Sequence, residues 1–149
     1  MTDNELHIVD SIFSQNGESI FFVAVEAEEF KKGEESREGF DLFSINTDGS
    51  ELKKLTDADY FSMNHLSLSS GGEEIYFSEF NGEKESVYSY DLEDGAVNET
   101  PTVVPEEIAN TRSFNKPQLS PDGEQLAFTE VSEESQETSL FKYELFFLC

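Results

Sequence analysis

The 149-residue chain contains 33 acidic and 9 basic residues, and its formal net charge is −24 at pH 7. A surface this acidic repels phosphate backbones and anionic lipid headgroups, so we expect no nucleic-acid partner and no membrane binding or insertion. Hydrophobic residues make up 36% of the chain and include 14 phenylalanines, which suffices to build the core of one domain.

The first predicted hairpin lies near the start of the chain. Residues 8–13 and residues 20–25 each favour a strand, and the sequence Ser-Gln-Asn-Gly-Glu-Ser at 14–19 joins them. A common three-residue connection places a glycine at positive φ after a type I turn, and we predict that role for Gly17. The second strand is apolar at successive positions, which is typical of a strand covered on both faces.

A second hairpin follows. Residues 42–46 predict a third strand, the Asp-Gly pair at 48–49 a turn, and residues 51–56 a short outer strand. The segment that begins at Ser44 superficially resembles a calcium-binding loop. Its twelfth position is Leu55, where a bidentate glutamate is required, so we interpret the segment as a hairpin turn.

This four-strand pattern occurs three times. The turn glycine recurs at Gly72 and at Gly123, which lie 55 and then 51 residues further along. A period of this length is typical of propellers, and strand, turn, strand, loop, strand, turn, strand is the order of one blade. We therefore predict an all-β fold of four-stranded antiparallel blades, as a single partial β-propeller over residues 1–149. The blades are predicted at 7–56, at 62–104 and, incomplete, at 113–149.

The later copies repeat the same signals with small changes. Asn64 and Asn115 hold equivalent places before the motif serine, where the first copy has Val9. The third copy has a Pro-Asp pair at the turn, which suits the first two positions of a type I turn. The predicted strands are residues 64–68, 75–77, 87–91 and 102–104 in the second copy, and 117–119, 126–128 and 140–144 in the third.

The third copy begins with Ser-Pro-Asp-Gly at 120–123 and continues with Leu-Ala-Phe at 126–128, and the first copy ends with Leu-Thr at 55–56. These motifs resemble the repeat of TolB-like β-propellers, and the resemblance covers about residues 8–145. The absence of tryptophan means that these are not WD repeats in the strict sense. The same repeat is found in TolB and in the regulatory propellers of prolyl-oligopeptidase-type peptidases. The fold does not transfer a function.

Candidate chemical sites are not found in the sequence. His7 and His65 have no cysteine or histidine at ligand spacing, so we predict structural roles for both. The chain has no Gly-x-Ser-x-Gly elbow and no glycine-rich phosphate loop with a lysine. We therefore predict a protein that is not an enzyme, with no catalytic, cofactor-binding or metal-binding residues, and no partner-binding residue can be named.

The segment from Glu26 to Gly39 makes the first copy longer than the second. It is rich in glutamate and lysine around one apolar residue, Phe30. Loops on one face of a repeat protein often form its binding surface, and a tolerated surface loop is the alternative.

The third copy lacks an Asp-Gly turn and a fourth strand after residue 145. Since propellers generally close with at least four blades, we expect a piece of a longer propeller. A complete small protein that closes by self-association is the alternative. Leu140, Phe141 and Tyr143 would form an unpaired strand edge beside the apolar residues 146–148, and this predicts self-association.

Two functions remain open. One is a non-catalytic module that binds a protein or peptide partner. The other is the regulatory propeller of a prolyl-oligopeptidase-type serine hydrolase. The start of the chain is acidic and does not resemble a signal peptide, so the compartment is cytoplasmic as written, or exported if a leader was removed. Cys149, the single cysteine, can form no internal disulfide.

Overall fold

The structure is a computed structural model, and it describes residues 5–27, 39–80, 85–99, 114–122, 124–131 and 138–144. Within these residues the chain forms eleven strands in three antiparallel sheets, which confirms the all-β prediction. The sheets follow one another along the chain, and in each the strands are paired in sequence order. Among the described residues no helix is long and apolar enough to cross a membrane.

The first sheet, blade one, has a shorter outer strand than predicted. The predicted strand at 51–56 is reduced to two paired residues, Lys53 and Lys54. Glu51 has a φ of 54°, and Thr56 turns back to hydrogen-bond β3, so neither continues the ladder. The strands are β1 (Leu6–Phe13), β2 (Ser19–Glu26), β3 (Asp41–Asn46) and β4 (Lys53–Lys54).

The second sheet, blade two, begins its outer strand earlier than the sequence predicted. This strand lies at Val97–Glu99, directly after the Asp-Gly turn, and the predicted residues 102–104 lie outside the described residues. The Asp91 N–H donates to the Ala96 carbonyl and closes the turn, so the pairing of the third and fourth strands starts at the next residue, Val97. The sequence Val-Asn-Glu at 97–99 is too polar to predict a strand. The strands are β5 (Met63–Leu68), β6 (Glu74–Phe80), β7 (Glu85–Asp91) and β8 (Val97–Glu99).

The third sheet, blade three, has three strands within the described residues. They are β9 (Phe114–Leu119), β10 (Gln125–Val131) and β11 (Thr138–Glu144), and β11 lies at an edge of the sheet. Residues 145–149, including the apolar 146–148, lie outside the described residues. Within the described residues β11 pairs with β10 alone, so the expected unpaired edge is present in this part of the chain.

The repeated turns have the predicted geometry. Gly17 and Gly72 have φ values of 73° and 72°, which confirms the left-handed glycine after the type I turn. The motif serine has a role that its spacing did not reveal. Its hydroxyl accepts a hydrogen bond from the backbone N–H five residues later and so closes the hairpin. The pairs are Ser14 with Ser19 at 2.9 Å, Ser69 with Glu74 at 3.0 Å, and Ser120 with Gln125 at 2.9 Å.

The main hydrophobic core lies between blades one and two. Alternate residues of β2 meet alternate residues of β6, while β1, β5 and β9 run side by side at the inner edge of the sheets. Stacked blades cover a strand from both sides, which explains why β2 is apolar at successive positions. The buried side chains of β2 and β6 in this core are Phe21, Val23, Val25, Ile75 and Phe77.

Candidate functional site

Five turns lie at one end of the three sheets. Each follows the first or third strand of a blade, and antiparallel pairing brings those strand ends to the same side. Within a blade the two turns are hydrogen-bonded. The Thr47 N–H donates to the Glu18 carbonyl, and the Leu92 N–H donates to the Glu73 carbonyl, both at 2.9 Å. The turns are residues 14–19, 46–50, 69–74, 91–96 and 120–125.

Hydrogen bonds also link these turns from blade to blade. Gln15 Nε2 in blade one donates to the Ser70 carbonyl in blade two at 3.1 Å. The Ser70 N–H donates in turn to the Pro121 carbonyl in blade three at 2.7 Å. The five turns therefore form one continuous surface, which we call the acidic turn surface.

This surface carries negative charge only. Its five segments contain nine carboxylates and no lysine or arginine. The pKa of Asp48 is lowered because the Ser50 hydroxyl and then the Ser50 N–H donate hydrogen bonds to it. Such a carboxylate stays ionised to lower pH than a free one. The nine residues are Glu18, Asp48, Glu73, Glu74, Asp91, Glu93, Asp94, Asp122 and Glu124.

A buried carboxylate lies at the start of β3 in blade one. Asp41 is fully buried, and its Oδ1 accepts hydrogen bonds from Thr56 Oγ1 at 2.6 Å and from the Ala58 N–H at 3.0 Å. Thr56 Oγ1 also accepts from the Leu42 N–H at 3.0 Å. The second oxygen, Oδ2, forms an ion pair with Lys54 Nζ at 2.9 Å. These hydrogen bonds and this ion pair hold residues 54–58, at the end of blade one, against β3.

Three carboxylates come close enough here to be compared with a metal site. Oxygens of Asp41, Asp57 and Asp59 lie within 4.8 Å of one another, and the last two residues are exposed. Lys54 Nζ lies 2.6 Å from Asp57 and 2.9 Å from Asp41, so its ammonium already forms ion pairs with two of the three carboxylates. Hydrogen bonds to Asp57 and then Asp41 raise the pKa of Lys54, which keeps it charged. We interpret the cluster as structural, and the lack of a metal site stays a prediction.

The structure also brings His65 and Ser78 together, which their separation in sequence did not indicate. His65 Nδ1 lies 2.8 Å from Ser78 Oγ, and the same Oγ lies 3.4 Å from the Asn64 carbonyl. A serine nucleophile must be reachable by a substrate as well as bonded to a base. Because Ser78 is buried in β6, this pair fits a structural role, as predicted for His65. His7 lies in β1 opposite Val25.

An apolar groove opens on the face of blade one that points away from blade two. It encloses about 330 Å³ and is lined by Ile8, Ile20, Phe22 and Ile45, with residues 46–49 at one end. Because side chains alternate along β2, Ile20 and Phe22 point opposite to the core residues of that strand. The groove could not be predicted from the sequence, because residues 20–25 are apolar at successive positions on both faces of β2. Most of the Glu26–Gly39 segment, including Phe30, lies outside the described residues.

Comparison with known proteins identifies the fold. No protein-family model matches the chain, and no characterised protein matches it by sequence. Among solved structures, TolB from Acinetobacter baumannii matches at 16% identity with a TM-score of 0.60, over 94% of this chain and 30% of that chain. The propeller domain of the Trilobed protease from Pyrococcus furiosus matches at 13% identity with a TM-score of 0.51, over 93% and 39%. A nidogen/laminin complex matches at 10% identity with a TM-score of 0.57, over 83% and 40%.

These likenesses confirm the TolB-like β-propeller fold that the repeat predicted. At such low identity they show the fold alone. The chain spans less than half the length of each of these three structures. TolB and a protease share this fold, so the fold does not distinguish the two functions left open by the sequence.

Proposed function

We propose that the chain is a non-catalytic β-propeller module that binds a protein or peptide partner through the acidic turn surface. The observation that carries this proposal is the continuity of that surface. Turns from three blades are hydrogen-bonded to one another and present nine carboxylates without a basic residue. Complementary charge both steers encounter and selects the partner, so the partner segment is basic.

The turns are suited to binding because their backbone is fixed. A motif serine closes three of the five turns, and turns of neighbouring blades share hydrogen bonds. A pre-ordered surface loses little conformational entropy when a partner binds. Protein partners also fit the comparison, since one matched structure is a nidogen/laminin complex.

The described polar groups that lie closest to catalytic geometry fit structural roles instead. Ser78 is buried beside His65, and Asp41 is buried under Thr56 and Lys54. We therefore expect no turnover of ester or dipeptide substrates by the chain. Turnover that the Ser78→Ala variant abolishes would contradict this.

The alternative function is that of a propeller that regulates a hydrolase. The match to the propeller domain of the Trilobed protease favours it. In that case the partner would be an adjacent catalytic domain and not a basic peptide. Peptide binding distinguishes the two functions.

The experiment uses two labelled peptides of equal length, one rich in lysine and arginine and one neutral. We expect the basic peptide alone to bind, with an affinity that falls as salt rises because the Debye length shortens to about 8 Å at physiological ionic strength. Fluorescence anisotropy measures both. Equal binding of the two peptides, or binding that salt does not change, would contradict the proposal.

Two triple variants of equal charge locate the site. The first replaces Glu18, Glu73 and Glu93 of the acidic turn surface with glutamine. The control replaces Glu5, Glu26 and Asp59, which lie at the opposite strand ends, with Gln, Gln and Asn. We expect the first to weaken binding of the basic peptide by about tenfold and the control to weaken it by less than about twofold. Equal losses would mean that net charge, and not this surface, binds the peptide.

A further inference from the structure

The two faces of a blade can be compared between blades because the repeat keeps its register. The offset that relates Gly17 to Gly72 also relates the pairs of residues that face each other across the strands. Phe13 lies opposite Ile20 in blade one, and Leu68 lies opposite Ile75 in blade two. We call the side of a blade that points toward the preceding blade its leading face, and the other side its trailing face.

The leading face of blade two is packed against blade one. Phe77 is stacked on Tyr88 there, with centroids 5.6 Å apart and an interplanar angle of 17°. Tyr60, from the segment that connects the blades, contacts both rings. Met63 at the end of this face is 0% exposed.

The leading face of blade one repeats this construction. Phe22 and Phe43, which correspond to Phe77 and Tyr88, are stacked with centroids 5.5 Å apart and an interplanar angle of 13°. Ile8, which corresponds to Met63, is 44% exposed, and Phe13 is 64% exposed. The groove described above lies on this face. Blade one therefore presents the docking face of a propeller blade, on which Phe22 is 3% exposed but Ile8 and Phe13 are open.

The trailing faces show the complementary trend. Leu42, Val87 and Leu140 hold the same position in the three blades. Leu42 is 0% exposed and Val87 is 4% exposed, whereas Leu140 in blade three is 78% exposed. Ala127 of β10, which corresponds to the buried Phe21 of blade one, is exposed as well. Among the described residues, the leading face of blade one and the trailing face of blade three thus both carry exposed apolar side chains.

We propose that a second copy of this chain occupies both faces, with blade three of each copy packed on blade one of the other. The interface would be of the same kind as the one between blades one and two, since it joins the same two faces. The two faces are complementary, because the trailing face of blade one already packs on the leading face of blade two in the same way. A two-fold axis repeats the contact, so each copy uses both faces.

The dimer is independent of the peptide binding proposed above, and the two can fail separately. It would place the acidic turn surfaces of both copies at the same end of the dimer, since all blades keep one orientation. Their mutual repulsion would weaken association at low salt, so the measurement is made at about 150 mM salt.

Sedimentation equilibrium of the full chain tests the proposal. We expect the wild type to have twice the single-chain mass at about 50 μM and to dissociate on dilution. Phe13→Asp and Leu140→Asp each place a charge in the proposed contact, and each should weaken association by at least about tenfold. Leu52→Asp is the matched control, because Leu52 is also exposed but lies in the outer turn of blade one. It should leave association unchanged.

The variants also separate the dimer from other arrangements. Both replaced side chains are exposed in the single chain, so far-ultraviolet circular dichroism and the dilute melting temperature should not change. A wild type that stays monomeric at about 50 μM would overturn the proposal. Sensitivity to Leu140→Asp alone would indicate pairing of β11 edges, and sensitivity to Phe13→Asp alone would indicate two blade-one faces in contact. A mass that keeps growing with concentration would indicate an open stack, and each of these three results also overturns it.

Discussion

Blades one and two share their strand order and cross-strand register but bury different polar groups. At the position where blade one has Asp41, blade two has Ser86, and where blade one has Val23, blade two has Ser78. Two of these buried polar groups have local partners, Thr56 for Asp41 and His65 for Ser78. The turns and the apolar pattern determine the fold of a blade, and the partners of these two groups differ from blade to blade.

The largest difference between the blades should come from Asp41. Replacing it with alanine leaves Lys54 without one of its two carboxylates and leaves the Ala58 N–H without an acceptor. We expect Asp41→Ala to lower the free energy of unfolding by about 4 kcal/mol. Ser86→Ala, at the equivalent position of blade two, should lower it by about 1 kcal/mol or less. Urea denaturation measures both.

Asp41→Asn is the matched control for charge. An asparagine keeps an acceptor for Thr56 and the Ala58 N–H but loses the ion pair with Lys54, which is partly exposed. We expect a loss of about 1 to 2 kcal/mol. Equal losses for Asp41→Ala and Ser86→Ala would show that the network in blade one adds no stability.

Leu42 and Leu140 test whether the open faces differ from the packed ones. Leu42 is buried between blades one and two, and Leu140 holds the same position on the open face of blade three. In dilute protein Leu42→Ala should lower the free energy of unfolding by about 3 kcal/mol. Leu140→Ala should change it by less than about 0.5 kcal/mol. A comparable loss at both positions would mean that blade three is covered even in the single chain.

The turn glycines separate backbone strain from contact between blades. Gly17 and Gly72 have the same positive φ, but a Cβ at Gly17 would meet nothing within 4 Å, whereas one at Gly72 would lie 2.9 Å from Gln15 Cβ. Gly17→Ala should therefore lower the free energy of unfolding by about 1 kcal/mol, from the left-handed backbone alone. Gly72→Ala should lower it by about 2 kcal/mol, because Gln15 must also move.

Adding Gln15→Gly to Gly72→Ala identifies the source of that difference, because glycine removes the Cβ of residue 15. If the clash with Gln15 is responsible, the double variant should lose no more than Gln15→Gly and Gly17→Ala together. A loss that stays larger would place the strain in the turn of blade two itself.

A smaller effect is expected at alkaline pH, from the tyrosine between the blades. Burial raises the pKa of Tyr60 to about 12, from an ordinary value of 10.0. The unfolded chain loses this proton first, so the contribution of Tyr60 to stability is complete below pH 10.0 and is lost as pH rises toward about 12. Tyr60→Phe should reduce the fall in stability over this range. Absorbance titration of the phenolates measures the pKa, and an unshifted Tyr60 would mean that water reaches the ring between the blades.

The sequence was sufficient for the blades because their signals are local and repeated. A glycine that must adopt positive φ, as Gly17 does, and an apolar run that must be covered on both faces together predict a hairpin in a stack. It did not indicate β8, because Val97 and its polar neighbours form an outer strand that pairs through the backbone and needs no apolar pattern.

The features of the candidate site depend on contacts between distant residues, which one sequence does not display. The motif serine repeats in every blade, and its hydroxyl accepts the same backbone hydrogen bond each time. The repetition of this serine is the sequence feature from which the closure of the hairpin could have been predicted. The acidic turn surface was visible only as total charge, because its continuity comes from the bonds that join Gln15, Ser70 and Pro121. The open face of blade one follows from exposure, and Ile8 and Met63 look equally apolar in sequence.

Thiol labelling of those last two positions tests the central claim that the leading faces of blades one and two are equivalent but differ in coverage. Ile8→Cys and Met63→Cys variants would be made in a Cys149→Ser background, and labelling rates measured below and above the concentration at which the chain associates. We predict that the thiol at position 63 is protected at both concentrations, and that the thiol at position 8 reacts rapidly when dilute and becomes protected on association. Rapid labelling at position 63 in the dilute chain would contradict the blade register, and rapid labelling at position 8 in the associated chain would contradict docking on this face.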